Sequence, residues 1–469
     1  MNLNLDFGLY SVNLNNVIKF LKQDIQDDFF SDPVHFKDRF DQKLINDYFQ
    51  KNIENNNGVY QPMERILLNV PKAQGTLRYS LETNFFDRLA YHAYGITIIQ
   101  YFDKFLSRRV FSHRFNLKNF NSNRSRYLFY NPTNQWKKFE EFVKISGKES
   151  AILITDLANY FEHININILK KTLLEFLRKS DATGNKKAII RFCIESICTC
   201  LSKWSFNSEH GLPQNRDISS FLANIYLSPI DSIMINSGYD YYRYVDDIRI
   251  ICRDRFHARK AIKMLSEELR KIDLSLNGYK TKILEYGSSE HEEFIDDKTI
   301  ELDRINALLK TKKRNIVAIA YQDVKNKLEE CLENDEYDSR KFRFFINRMA
   351  TIARCKDIKR PENYYAKIRR NILKAIVTHP SSMDRYYEFL SSIELTDEDM
   401  DKLFEYLSNE ELSIYSWQNY SLWKLFVLNN YKREKLLVLA TRQINVQKEA
   451  SAAGAILYLG KFGDLSEKH

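Results

Sequence analysis

Adjacent aspartates occur at three places in the chain, and the surroundings of one pair favour a cation site. Asp27–Asp28 and Asp296–Asp297 lie in polar stretches, where such pairs are typical of solvated turns and helix ends. Asp246–Asp247 lies within YYRYVDDIRI (241–250), whose β-branched and aromatic residues favour strands. Two carboxylates at the tip of a half-buried hairpin are costly unless a cation compensates their charge. The sequence therefore predicts that the middle pair binds a cation.

A third carboxylate, Asp156, ends the apolar run AILITD (151–156), which length and β-branching favour as a buried strand. A strand tip and a neighbouring hairpin can place three carboxylates around two Mg²⁺ ions about 3.5–4 Å apart. Hard divalent ions prefer carboxylate oxygens. We therefore expect Asp156, Asp246 and Asp247 to bind two Mg²⁺ ions, with Mn²⁺ as an alternative. This site would serve a nuclease as well as a polymerase.

The elements that would position these carboxylates alternate between helix and strand. Apolar spacing predicts helical structure over 82–118, 164–204 and 257–272, whereas 239–252 and 274–286 have strand character. From about residue 300 onward nearly every segment has a helical pattern, and ASAAGAILYLGKFGD (450–464) is typical of one helix in a stacked α-repeat. We predict an α+β body followed by an all-α region.

Composition limits the class of protein. The chain has 469 residues, 44% hydrophobic and 28% charged, which predicts two or three globular domains rather than disorder. None of the six cysteines forms a CxxC pair, and Cys193, Cys198 and Cys200 lie in an apolar stretch that predicts a buried helix rather than a zinc site. No apolar run approaches about 18 residues, and MNLNLDFGLY does not resemble a secretory signal. We expect a cytoplasmic protein without a membrane partner.

The net charge of +9 permits a nucleic-acid partner without requiring one. Basic clusters occur at 108–109, 137–144, 308–315 and 367–374. For each cluster alone, a solvated helix face is the favoured interpretation.

Five stretches, in this order, resemble the motif series of reverse transcriptases. They are VPKAQGTLRYSLETNFFDRLAYHA (70–93), ITDLANYF (154–161), GLPQNRDISSFLANIYLSPID (211–231), YRYVDDIRI (242–250) and LSLNGYKTKIL (274–284). The form RYVDDIRI and the helical C-terminal region are most similar to the prokaryotic, defence-associated abortive-infection and unknown-group reverse transcriptases. Retron and group II intron enzymes are more distant likenesses.

The resemblance implies a fold and a division of the chain. Residues 1–295 would form the fingers and palm of a right-hand polymerase. Residues 296–469 would form a helical, thumb-like domain with HEAT-like repeats, which contacts nucleic acid and mediates homo-oligomers. A prokaryotic cytoplasmic location follows from the same resemblance.

The resemblance also assigns roles to single residues. Asp156, Asp246 and Asp247 would hold the metal ions, and Lys280 would protonate the departing pyrophosphate. Lys72 and Arg78 would bind the triphosphate of the incoming dNTP, since fixed cations stabilise charge that builds during phosphoryl transfer.

Three further positions concern the nucleotide and the template. The ring of Phe161 would exclude a 2′-hydroxyl and so select dNTPs, although on spacing alone a core phenylalanine is about as favoured. Gln214 would lie against nucleotide and template. Asn215 departs from the family pattern, which has glycine after LPQ, and asparagine tolerates the left-handed backbone region better than most residues.

The leading hypothesis is an RNA-directed DNA polymerase that copies a dedicated non-coding RNA in antiphage defence, with a neighbouring defence protein as a further partner. The same site would also serve template-independent DNA synthesis primed on a protein hydroxyl. A two-metal nuclease would leave Lys72, Arg78, Phe161 and Gln214 without a role. A phage-sensing, RNA-binding scaffold with a vestigial site is the alternative from another class, and the intact carboxylates argue against it.

Overall fold

The computed structural model describes residues 4–7, 11–26, 40–122, 124–205, 209–295, 299–311, 314–355, 365–446 and 450–464. The chain divides into two compact units. One contains Met1–Ile66 and Leu81–Asp297, and the other contains Leu67–Ser80 and Lys298–His469. The pairs Asp27–Asp28 and Asp296–Asp297 lie outside the described residues.

Among the residues that the structure describes, eight strands form three sheets. They are β1 (Asn4–Asp6), β2 (Ser11–Asn13), β3 (Ile66–Leu68), β4 (Ser80–Glu82), β5 (Ala151–Thr155), β6 (Asp240–Tyr244), β7 (Asp247–Cys252) and β8 (Lys282–Leu284). β1 pairs with β2, β3 pairs with β4, and the four-stranded sheet has the order β6-β7-β5-β8.

Helices account for most of the remaining structure. In the first unit they are α1 (Leu14–Gln26), α2 (Gln42–Asn55), α3 (Phe85–Phe102), α4 (Leu117–Asn121), α5 (Pro132–Gly147), α6 (Tyr160–His163), α7 (Ile166–Lys179), α8 (Gly184–Trp204), α9 (Asp217–Asn236), α10 (Arg255–Arg270) and α11 (Ser289–Ile295). In the second they are α12 (Thr299–Lys310), α13 (Arg314–Glu333), α14 (Arg340–Ala353), α15 (Ala366–Thr378), α16 (Met383–Leu390), α17 (Asp397–Ser408), α18 (Ser416–Leu428), α19 (Glu434–Val446) and α20 (Ala450–Phe462).

The four-stranded sheet is antiparallel at each pairing and buries side chains on both faces. Alternation along the strands sends Ile152 and Ile154 of β5 to one face, where they pack with Phe139 and Val143 of α5. Arg243 of β6 points to the other face and bonds to residues of α9. Helices on both faces therefore fix the sheet and the loops at its ends.

Helix starts follow the polar residues that precede them. Asn84, Asn131 and Asn165 each accept a backbone N–H in the first turn of α3, α5 and α7, respectively. Thr396 and Asp399 form a capping box at α17. These side chains satisfy backbone donors that a helix leaves unpaired at its start.

Several sequence predictions are confirmed, and two need correction. The strand ending at Asp156, the hairpin around Asp246 and the buried helix with Cys193, Cys198 and Cys200 are all present. The helix predicted over 82–118 instead ends at Phe102.

The physical reason for that early helix end is the folded-back loop that follows. The guanidinium of Arg114 donates to the carbonyl oxygens of Ser107 and Val110 at 2.7 and 3.0 Å, so the chain turns where a helix was expected. In the stretch 274–286, which the sequence predicts as strand, only Lys282–Leu284 forms one, because its pairing with β5 covers three residues.

Helix α9 is the one helix among the described residues that is long and apolar enough to cross a membrane. The sequence of α9 has no long uninterrupted apolar run, because serine, asparagine and aspartate lie among its apolar residues. In the structure, 78% of the most apolar 18-residue stretch of this helix is buried inside the protein, which is typical of the core helix of a globular domain.

In the second unit, the helices contact one another in two rows. α14, α16, α18 and α20 form one series of neighbours, and α13, α15 and α17 form another. The helical nature of this region is confirmed, and the HEAT-like repeat stays a prediction.

Candidate active site

Three aspartates meet at one end of the four-stranded sheet because of how its strands run. Asp156 follows β5, while Asp246 and Asp247 lie at the turn between β6 and β7. β5 and β7 are antiparallel neighbours in which Thr155 pairs with Ile248, so the end of β5 meets the start of β7. The predicted carboxylates therefore form one acidic cluster.

Lys280 joins this cluster from a separate loop. Its ammonium donates to the carboxylate of Asp156, although the lysine side chain is 65% exposed. The loop is tied to the strand end, because Asn277 N–H donates to the Asp156 carbonyl at 2.7 Å and the Thr155 and Thr281 hydroxyls lie 2.7 Å apart. The backbone thus positions the predicted proton donor beside a predicted metal ligand.

Burial and neighbouring charges shift the pKa values of the cluster's side chains. Burial, together with the charges of Asp156 and Asp247, raises the pKa of Asp246 to about 7. Burial also raises the pKa of Asp247, and Arg249 opposes that shift. For Lys280, burial acts to lower the pKa, but its hydrogen bond to Asp156 and the charges of the three aspartates raise it overall. A cation bound between these carboxylates would favour their ionised forms.

The turn itself is strained at Val245. This β-branched residue has a φ of +54°, in the left-handed region that side chains of its kind rarely adopt. Two contacts hold it there, since Val245 N–H donates to the Ser112 hydroxyl at 3.0 Å and Arg243 donates to the Val245 carbonyl at 2.9 Å. The adjacent Asp246 is thereby fixed in position.

Arg243 connects the turn to the core through a buried ion pair. Its guanidinium donates to both carboxylate oxygens of Asp231 at 2.8 and 2.6 Å and to the Asn224 side chain at 2.8 Å. The side chains of Arg243 and Asp231 are 0% and 1% exposed. Such a pair is stable only while both charges and their hydrogen bonds are present.

Two carboxylates of the cluster contact basic side chains. Asp156 accepts a hydrogen bond from Lys280, and Asp247 accepts one from Arg249 at 3.3 Å. Across the part of the chain that the structure describes, no three His, Cys, Asp or Glu side chains are arranged to hold a metal ion. Carboxylate oxygens are nevertheless the ligands that Mg²⁺ prefers, so the donor chemistry fits.

Phe161 and Gln214 lie on two segments that the backbone joins. Leu212 N–H donates to the Phe161 carbonyl at 2.8 Å, and Gly211 N–H donates to the Ile164 carbonyl at 2.9 Å. Phe161 and Gln214 are both half-buried. The loop that carries Gln214 therefore lies against the helix that carries Phe161.

Asn215 adopts the backbone conformation that glycine would favour. Its φ is +58°, in the left-handed region that asparagine tolerates. The departure from glycine therefore leaves the loop conformation accessible.

Lys72 and Arg78, the predicted triphosphate ligands, belong to the second unit. They flank a tight turn in which Arg78 N–H donates to the Val70 carbonyl at 2.9 Å. Burial and the charge of Arg343 lower the pKa of Arg78, and Asp384 and Asp338 oppose this shift. Arg78 is thus set among charged side chains of the helical region.

The family comparison bears directly on this arrangement. The family described as "Reverse transcriptase (RNA-dependent DNA polymerase)" matches residues 94–345, which is more than half of the 469 residues. The chain belongs to the reverse transcriptase family. The resemblance to this family is thereby confirmed, and the defence-associated subgroup stays a prediction.

No curated protein matches this reverse transcriptase. Among solved structures, the apo telomerase of Candida tropicalis is 13% identical over 81% of this chain and 74% of that chain, with a TM-score of 0.33. The telomerase of Candida albicans, solved with a fragment of telomeric RNA, is 11% identical over 84% and 69%, with a TM-score of 0.34. These likenesses are too distant to assign roles to residues.

Three residues around the aspartates were not identified from the sequence as part of the site. Arg243 and Arg249 flank the aspartate pair, and strand alternation around YVDD could have placed them on opposite faces. Ser112 has no local signal, because its contact with Val245 joins positions 133 residues apart.

Proposed function

We propose that the protein is an RNA-directed DNA polymerase that adds dNTPs to a growing strand. The observation that carries the proposal is the convergence of Asp156, Asp246, Asp247 and Lys280 at one end of the sheet, in a chain of the reverse transcriptase family. In a polymerase, each of these charged side chains would act at the one phosphate that reacts.

The carboxylates supply the acidic part of this chemistry. Asp156 and Asp246 would hold the divalent ions, Mg²⁺ or alternatively Mn²⁺, and Asp247 would complete the cluster when Arg249 releases it. When bound, such ions activate the attacking oxygen and stabilise the leaving one. Lys280, whose raised pKa keeps it protonated at neutral pH, would donate its proton to the pyrophosphate oxygen as it departs.

The remaining predicted residues bind and select the nucleotide. Lys72 and Arg78 would compensate the triphosphate charge, and Gln214 would contact the nucleotide and template. The half-buried ring of Phe161, at the start of a short helix directly after the Asp156 strand, would exclude a ribose 2′-hydroxyl. Residues 1–295 would then form the fingers and palm, and residues 296–469 a thumb-like region.

The biological setting belongs to the same proposal. The RYVDDIRI motif and the helical region after residue 298 support a defence-associated enzyme of the abortive-infection and unknown-group type. A dedicated non-coding RNA would serve as template, in the prokaryotic cytoplasm. A homo-oligomer and a neighbouring defence protein would be its protein partners.

The test uses the protein purified with whatever nucleic acid it carries. We would incubate it with Mg²⁺ and labelled dNTPs, with and without prior RNase treatment, and sequence the product. DNA synthesis that RNase abolishes, with a product complementary to the bound RNA, is the expected result. DNA of random sequence that persists after RNase and remains attached to protein would instead establish untemplated, protein-primed synthesis.

A further inference from the structure

The positive charge of the chain is concentrated in one segment. Residues 104–139 contain nine lysines and arginines and no aspartate or glutamate. The whole chain has a formal net charge of +9, so all other residues together are close to neutral. A concentration of this kind is the electrostatic footprint of a polyanionic partner.

Part of this charge is compensated by acids outside the segment. Lys104 pairs with Asp181 at 2.8 Å, and Arg114 pairs with Asp103 at 2.9 Å. Arg109 likewise pairs with Asp240. These three cations are therefore already paired within the protein.

Other side chains of the segment face solvent. Arg124, Arg126, Tyr127, Tyr130 and Lys138 are exposed, and we refer to them as the basic strip. Tyr127 and Tyr130 are 47% and 46% exposed, which is unusual for rings of this size. Arg124, Arg126 and Lys138 form no ion pair with any residue that the structure describes. The basic strip therefore presents three cations and two aromatic faces.

The segment runs along the edge of the sheet that carries the acidic cluster. Arg243 N–H donates to the Arg109 carbonyl and Phe111 N–H donates to the Arg243 carbonyl, both at 3.0 Å, so the segment extends the pairing of β6. Further along, the Tyr244 hydroxyl donates to the Pro132 carbonyl at 3.1 Å. Pro132 lies between the two ends of the basic strip, and Tyr244 lies two residues before Asp246.

We propose that the basic strip binds single-stranded nucleic acid on its way to the acidic cluster. Arginine and lysine attract the phosphates, and exposed rings stack on bases that a duplex would keep inside. This inference rests on the proposed function, because it supplies the surface on which a template or product strand would lie. RNA and DNA share this chemistry, and the test below separates them.

The experiment measures binding rather than catalysis. Fluorescence anisotropy in EDTA, without dNTPs, would follow the full-length protein with oligo(U), oligo(dT) and a duplex, each of about 16 nucleotides per strand. Two variants address the basic strip, Arg124→Ser/Arg126→Ser and Tyr127→Ala/Tyr130→Ala. Arg178→Ser/Arg191→Ser is the matched control, since both arginines are exposed on α7 and α8, outside the segment.

Each variant has its own expected signature. Loss of two phosphate contacts should reduce the magnitude of the slope of log K against log salt by about 1.4, because each contact with a single strand contributes about 0.7. Loss of the two rings should weaken binding of single strands about fivefold or more for each stacked base, without changing the salt dependence. The stronger ligand of oligo(U) and oligo(dT) identifies the strand type that the surface prefers.

Three results would overturn the inference. One is a control variant that weakens binding as much as the strip variants do, which would indicate a diffuse charge effect. Another is tighter binding of duplex than of single strands, which would indicate a double-stranded ligand. The third is no binding at all, which would leave the strip to a protein partner. Binding needs neither metal nor dNTP, so a loss of polymerisation with binding intact would count against the proposed function alone.

Discussion

Among single residues, Asp246 has a carboxyl group whose ionised form is disfavoured in the folded protein. Its pKa is about 7 in the folded protein against an ordinary value of 3.8. Between these values the folded protein holds a proton that the unfolded chain has lost, so its contribution to stability falls as the pH rises through this window.

We therefore predict that Asp246→Asn stabilises the metal-free protein by about 2 kcal/mol at about pH 8. The gain should shrink as the pH falls and vanish towards about pH 3, where the carboxyl is mostly protonated in both states. Urea unfolding in EDTA at several pH values measures this, with Glu141→Gln, an exposed position on α5, as the control. A variant less stable than the parent at high pH would show that the aspartate charge is already compensated.

A second prediction at this scale concerns sugar selection by Phe161. Replacing the half-buried ring by alanine should open space beside the sugar and raise the use of rNTPs relative to dNTPs by about tenfold or more. Primer extension with each nucleotide type gives the two kcat/KM values. Phe161→Tyr keeps the bulk of the ring and should keep the parent's discrimination. Unchanged discrimination in Phe161→Ala would remove the steric role.

Among the secondary-structure elements, the buried pair of Arg243 and Asp231 joins the hairpin of β6 and β7 to α9. Removing one partner leaves an uncompensated buried charge, so Arg243→Met should lower the free energy of unfolding by about 3–5 kcal/mol. The double variant Arg243→Met/Asp231→Leu removes both charges and should recover most of this loss. Urea unfolding of the parent, Arg243→Met, Asp231→Leu and the double variant completes a double-mutant cycle, and additive effects would contradict a direct pair.

The hairpin that carries Lys72 and Arg78 is the second element whose position we expect to affect nucleotide binding. The Tyr415 hydroxyl donates to the Gly75 carbonyl at 3.2 Å, and a Cβ added at Gly75 would lie 3.2 Å from the same hydroxyl. Gly75 also has a φ of +80°, so two constraints favour glycine at this turn. The helical region thus holds the turn between the two predicted triphosphate ligands.

We predict that Tyr415→Phe raises the KM for dNTP about two- to tenfold, which is the value of one hydrogen bond, with little change in kcat. Steady-state primer extension separates the two constants. Tyr431→Phe removes a hydrogen bond to Asp401 in the same unit, away from the hairpin, and should leave KM unchanged. An equal change in both variants would point to general loosening of the helical region.

At the scale of the whole molecule, the sequence predicted the parts that local pattern encodes. The β-branched run before Asp156 and the alternation around Asp246 were enough to place both on strands of one sheet. Long-range contacts were not predictable in the same way. The Ser112–Val245 hydrogen bond joins positions 133 residues apart, and the Tyr415–Gly75 bond joins positions 340 apart. Pattern within a short window does not encode such contacts.

The same limit explains the early end of the helix predicted over 82–118. Helical spacing continues past Phe102, but the bonds from Arg114 to carbonyls of the loop give those backbone groups other partners. Local propensity was overridden there by a tertiary contact.

If the acidic cluster catalyses nucleotide addition, incorporation of labelled dNTPs must depend on its carboxylates and on a divalent metal ion. We would compare the parent with Asp246→Asn/Asp247→Asn on an RNA template with a DNA primer, in Mg²⁺ and in Mn²⁺, with thermal unfolding to verify that both are folded. We expect extension by the parent, and a loss of about a thousandfold or more in a double variant that remains folded. Equal extension by both proteins, or no extension by either in any metal, would contradict the account.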